Sequence, residues 1–188
     1  MIKNSFLIFL FSLCVASCAT DTEDQCTTDN FDRGAMLTNW AENIIIPAYE
    51  NYVGKLEDLK SDVTAFLDAP NQTNLNQART SWLSAYIAWQ KVALFQIGKA
   101  ETERLRDYSN TYPLDAVGLE NNIETGSYEL SLSTQLDKQG FPALDYLLNG
   151  VGNTDLEILN VYNSTSYKNY LLAVTSRLEK MALSVLQD

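Results

Sequence analysis

The sequence predicts an all-α fold, a helical bundle with a long irregular connection. Three observations carry that reading. Apolar residues recur at steps of three and four through three long stretches, which puts them on one face of a helix. No strand-like alternation occurs outside the N-terminal apolar run. Two pairs with capping-box spacing, Asn74 with Gln77 and Thr154 with Glu157, mark helix starts.

The first stretch begins near Phe31 and repeats at Leu37, Ala41, Ile44, Ala48, Tyr52, Leu56, Leu59, Val63 and Phe66. Pro47 lies inside it, deleting a backbone donor and crowding the preceding turn, so a kink is expected there. Asp68-Ala69-Pro70-Asn71 closes the segment. The second stretch runs from Asn74 to Ile97 through Leu75, Ala78, Trp82, Ala85, Trp89 and Val92, with Gly98 as its expected stop. Trp82, Tyr86 and Trp89 form an aromatic stripe, which is read as bundle core before it is read as a ligand groove.

From Lys99 to about Leu136 the helical period breaks down, and Tyr, Asn, Pro and Gly become frequent. A short helix is expected at Leu114–Ile123. Connections this long in compact domains are functional or are ordered by packing. Another short helix is expected over Ala143–Leu148, ended by Gly150, and a brief one after Thr154. The last long helix is expected from Tyr167, with Tyr170, Val174, Leu178, Met181 and Val185 on one face. Three long helices and one or two short ones make a bundle whose loops exceed the simplest up-down design.

The N-terminus carries a targeting signal. Lys3 precedes an apolar run from Phe6 to Val15, interrupted only by Ser12, and small Ala16 and Ser17 stand before Cys18. That run is too short for a permanent membrane span and reads as a signal peptide. Val15-Ala16-Ser17-Cys18 resembles the bacterial lipobox, whose cysteine thiol receives the lipid and becomes the mature N-terminus. The alternative is an ordinary secretory signal with a chance cysteine. Residues 1–17 are therefore the expected lipoprotein signal peptide, 18–30 a flexible acidic tether, and 31–188 the folded domain. Ala19 beside Cys18 suits an outer-membrane lipoprotein of the cell envelope, facing the periplasm or the cell surface.

Composition narrows the function. The chain holds 13 Lys and Arg against 24 Asp and Glu, a net charge of −11. Removing residues 1–17 takes away one lysine and no acid. Such a surface repels nucleic acid and anionic headgroups, so nucleic acid is not expected as a partner and the membrane is reached through lipidated Cys18. Of three cysteines only Cys26 remains after the signal and anchor, so no disulfide staples the domain. The chain contains no histidine, which rules out a His-bearing triad or an HExxH zinc helix within it. A metal would be held by carboxylate, carbonyl, phenolate or water oxygens, a set suited to a hard cation such as iron or calcium. No other cofactor is signalled.

Four segments resemble the imelysin-like proteins, also called the M75 peptidase family: Asn43-Ile44-Ile45-Ile46-Pro47-Ala48-Tyr49, Ala85-Tyr86-Ile87-Ala88-Trp89-Gln90, Thr111-Tyr112-Pro113-Leu114-Asp115 and the run from Gln139 to Gly150. The resemblance implies a secreted or lipid-anchored bacterial envelope protein linked to iron acquisition, usually with two related helical bundles and a functional site near their seam. One such bundle is expected in this chain, with the final helix reading as unfinished at Asp188 and a second bundle as the missing companion. The family hallmark GxHxxE falls on Gly140, Pro142 and Asp145. Gly140 is kept and Asp145 retains a carboxylate, but Pro142 can neither coordinate a metal nor transfer a proton. It suits the first turn of a helix instead.

Asp145 is the leading candidate metal ligand, with Asp115 and Glu120 as helpers and Glu124 sharing a helical face with Glu120. The competing reading makes Asp115 and Asp145 helix-terminal residues meeting backbone N–H groups. Arg104 and Arg106 are candidates for ion pairs tying the connection to the bundle. The preferred function is a lipid-anchored envelope protein that binds a ligand or metal for uptake, with iron a candidate and without catalysis. The alternatives are an interaction module docking an envelope partner and, disfavoured by Pro142 and the lack of histidine, a metallopeptidase.

Overall fold

A computed structural model describes residues 30–188. The signal peptide, Cys18, Cys26 and all of the tether before residue 30 lie outside the described residues. Two compact units divide the chain, 1–35 and 36–188. In the described part of the first, Asp32 accepts a hydrogen bond from the Ala35 N–H at 2.8 Å.

Helix α1 (Arg33–Trp40) is followed directly by a five-residue π turn (Ala41–Ile45) and then by α2 (Ile46–Asp68). The disruption expected at Pro47 takes this form. The helix widens in the turn just before the proline, which then sits at the start of α2, where a missing N–H costs little. The remaining helices are α3 (Gln72–Val92), α4 (Lys99–Thr102), α5 (Leu105–Ser109), α6 (Ala116–Thr125), α7 (Gly140–Asp145), α8 (Asp155–Val161) and α9 (Thr165–Leu186). A 3-10 turn at Ser133–Lys138 precedes α7, and a second π turn at Tyr146–Gly150 follows it. Among the described residues there is no strand, and no helix is long and apolar enough to cross a membrane.

The long helices bury the faces that the periodicity marks. Helix α2 packs most extensively on α3 and α9. Tyr52, Leu56, Leu59, Val63 and Phe66 of α2 meet Leu75, Ala78, Ala85 and Trp89 of α3 and Tyr170, Val174 and Leu178 of α9 in one continuous core. Each fully buried large apolar side chain stabilises the fold by about 1.5–3 kcal/mol. Trp89 is 1% exposed and packs against Tyr52 at 5.7 Å and Phe141 at 6.3 Å. Trp82 is only partly buried. Its ring stacks on Tyr86 at 5.6 Å, and its indole N–H donates to the Phe141 carbonyl at 3.2 Å. The aromatic stripe thus clamps α7 onto α3.

Several boundaries differ from the sequence reading. Asn71, not Asn74, caps α3, accepting from the Asn74 N–H at 3.0 Å. The Asn74 amide donates instead to the carbonyls of Ala65 and Ala69, satisfying the C-terminal end of α2. Helix α3 stops at Val92 rather than Ile97, because the chain turns there to pack Phe95 on the core. The Phe95 carbonyl accepts from the Tyr49 hydroxyl at 3.2 Å. Gly98, with φ +54°, precedes α4 and does not terminate α3. Helix α6 starts two residues later than expected because Asp115 is its cap. Thr154 does accept from the Glu157 N–H, at 3.2 Å, while the Glu157 carboxylate reaches back to Asn153.

Candidate functional site

Helix α7 is the shortest route from sequence to site. Gly140 adopts φ +74°, and a Cβ there would lie 2.3 Å from the Ser109 carbonyl oxygen. Only glycine permits that conformation together with that approach, so Gly140 locks α7 against the end of α5. Pro142 follows, buried in the first turn of α7. Asp145 ends the helix half-buried, and its Oδ1 accepts from the Asn149 amide at 2.9 Å. It meets no backbone N–H at a helix start, so the capping alternative does not describe it.

The Asp145 side lines a cavity of about 380 Å³ together with Tyr112, Leu114, Pro142, Tyr146 and Asn149. Two sequence segments separated by the whole α6 region therefore converge: Thr111 to Asp115 supplies one wall, and the run from Gln139 to Gly150 supplies the other. Burial, and then the Tyr86 phenol and the Asp145 charge, push the Tyr112 phenol above its ordinary value.

Glu120, near the middle of α6, faces inward. Its Oε1 accepts from the Tyr146 hydroxyl at 2.8 Å, and its Oε2 accepts from the Tyr167 hydroxyl of α9. The Tyr146 phenol is raised to about 12, by burial first and by hydrogen bonding and proximity to Glu120 next. Tyr167 is raised for the same reasons. Gly150 makes the Tyr146 pose possible, since a Cβ at that position would meet the ring at 2.7 Å. Tyr162 stands beside the pair, edge-on to Tyr167 at 6.5 Å, with its hydroxyl committed to the Leu147 carbonyl at 2.7 Å.

Asp115 does other work. Its Oδ1 caps α6 through the Gly118 N–H at 2.8 Å, and its Oδ2 pairs with Lys138 at 3.1 Å. Those two partners, in that order, hold its carboxyl below the usual range. Glu124 is exposed and does not share the inward position of Glu120. Among the described residues, no group of three or more Asp, Glu or Cys side chains is placed to hold a metal ion. The structure therefore does not gather Asp115, Glu120 and Asp145 into one carboxylate centre. The phenols around Glu120 were missed at the sequence level. The only available signal was the high tyrosine content, because Tyr167 lies 47 residues from Glu120.

The ion pairs also fall elsewhere than expected. Arg104 pairs with Asp107, three residues away, and so stays within the connection. The cross-ties come from Arg79 and Arg177. Arg79 reaches both Asp155 oxygens at 2.8 and 3.1 Å and the Leu148 carbonyl at 3.1 Å, joining α3 to α8 and the second π turn. Arg177 on α9 donates to the Gln139 side chain at 2.8 Å and lies 4.7 Å over the Tyr108 ring.

Comparison with known proteins agrees with this architecture. The profile of the imelysin family of M75 peptidases matches residues 45–188. The curated iron-regulated protein A of Synechococcus elongatus is 25% identical over 119 residues, covering 61% of this chain and 32% of that protein. A crystal structure from Parabacteroides distasonis, provisionally described as an iron-regulated protein A precursor, superposes with a TM-score of 0.68 at 18% identity. That match covers 81% of this chain and 44% of the solved one. The chain thus spans less than half of the length of either relative, 32% of one and 44% of the other.

Proposed function

We propose that this chain, which belongs to the imelysin family, is a lipid-anchored cell-envelope protein that binds a cargo for uptake, iron being the foremost candidate, without chemical turnover. The observation that carries this reading is the convergence of two of its four family-like segments on one cavity, at Tyr112, Pro142 and Asp145. A cavity with a few convergent polar groups is a default ligand site. Its donors are all oxygens, which suits a hard cation. The relatives called iron-regulated proteins support iron as the cargo. Pro142, standing where the hallmark has histidine, supports binding over hydrolysis.

Asp145 supplies negative charge at the cavity and draws the cation inward. Calorimetry tests this. The full-length protein and its Asp145→Asn variant, both in detergent, would be titrated with Fe3+ as a soluble chelate, with Ca2+ and with Mg2+. Saturable Fe3+ binding that weakens in the variant is expected. Identical binding in both proteins would remove Asp145 from the site, and no binding to either would contradict the cation reading.

A further inference from the structure

We propose that Glu120, Tyr146 and Tyr167 form a binding site for a hard trivalent cation, Fe3+ above all, through one carboxylate and two phenolates. This rests on the uptake reading above and names the atoms that would hold the cargo. Three separate elements deliver the donors: α6 brings Glu120, the second π turn brings Tyr146, and α9 brings Tyr167. Each carboxylate oxygen faces a different phenol, Oε1 with Tyr146 at 2.8 Å and Oε2 with Tyr167. Both oxygens of one carboxylate thus carry a phenol oxygen. All three side chains are half-buried, and Tyr146 also lines the cavity beside Asp145.

Charge selects the ion. One carboxylate and two phenolates carry three negative charges, which a trivalent cation neutralises, and a neutral complex is the one a half-buried site tolerates. A divalent ion would leave excess negative charge and would not displace the phenol protons as readily. On binding, each phenol O–H bond breaks, its proton passes to solvent, and its oxygen bonds the metal. The ion's own charge favours loss of both phenol protons, as coordinated ions do for bound water and thiols. Tyr162 is not a donor here, because its hydroxyl is held by the Leu147 carbonyl.

The test is spectroscopic. Full-length protein purified in detergent is titrated with Fe3+ nitrilotriacetate, and a visible phenolate-to-Fe3+ charge-transfer band is expected to grow and saturate. Tyr146→Phe and Tyr167→Phe should each weaken the band, and the double variant should lose it while keeping its helical circular dichroism. Glu120→Gln, which retains a hydrogen-bond acceptor for the phenols, should weaken Fe3+ binding in calorimetry. Saturable Fe3+ binding without the band, unchanged in these variants, would overturn this site while leaving the uptake reading intact. Absence of any Fe3+ binding to the native protein would overturn both.

Discussion

At the scale of single residues, the clearest dependence is on Gly140. A Cβ there meets a backbone oxygen at 2.3 Å in a conformation of positive φ. Gly140→Ala is therefore expected to destabilise the domain by at least about 3 kcal/mol, read as a lowered denaturant midpoint. The two tryptophans should separate. Trp89→Ala empties a fully packed position and should cost about 3–5 kcal/mol. Trp82→Phe keeps a half-buried ring and loses one hydrogen bond, a cost of about 1 kcal/mol. Burial raises the Tyr49, Tyr146 and Tyr170 phenols to about 12 from an ordinary 10.0. A raised folded-state value favours the neutral phenol, so its stabilisation is complete below pH ~10 and is lost as the pH climbs toward ~12. Thermal melts followed by circular dichroism should accordingly show a midpoint that falls above pH ~10. A midpoint flat to pH ~12 would mean that these phenols titrate as free tyrosine does. Gly140, Pro142 and Asp145 were visible in the sequence as one motif. Tyr146 and Tyr167 were not singled out as site residues, because hydrogen bonds between residues distant in sequence leave no periodic trace.

At the scale of elements, long helices were legible and their ends were not. Periodicity reports which face is buried, and the faces of α2, α3 and α9 follow it. Ends depend on which polar side chain reaches which orphan N–H, and Asn71 and Asn74 were equally plausible caps by residue type. The structure assigns Asn71 to α3, so Asn71→Ala should cost about 1 kcal/mol in urea unfolding. Asn74→Ala should also destabilise, but through the two carbonyls it leaves at the end of α2. The irregular region from residue 99 to 138 resolves into α4, α5, α6 and a 3-10 turn; α6, ten residues long, was expected, whereas α4 and α5 are too short to repeat an apolar pattern. Tertiary ties hold this region: the Tyr108 hydroxyl donates to the Ser131 carbonyl at 2.6 Å, and Asn122 bonds both Gln135 and Tyr170. Such ties, not local propensity, fix Glu120 where the phenols meet it.

At the scale of the whole molecule, the proposed lipid anchor at Cys18 is open to a direct test. Cys18→Ser removes the thiol that would carry the lipid, so the protein should lose lipid labelling and leave the membrane fraction. Unchanged fractionation would place its attachment elsewhere. The family relationship was legible from four short segments, three carried by helical stretches and one, Thr111 to Asp115, in the loop before α6, and the matching profile spans residues 45–188. Of the carboxylates singled out in the sequence, Asp115, Glu120 and Asp145 do not gather, and two phenols meet Glu120, the one that turned inward. The most direct measurement is anomalous diffraction at the iron edge from crystals of the protein soaked in chelated Fe3+. The account predicts one dominant peak within bonding distance of Glu120, Tyr146 and Tyr167. A dominant peak away from those three side chains, or none at full soak, would contradict it.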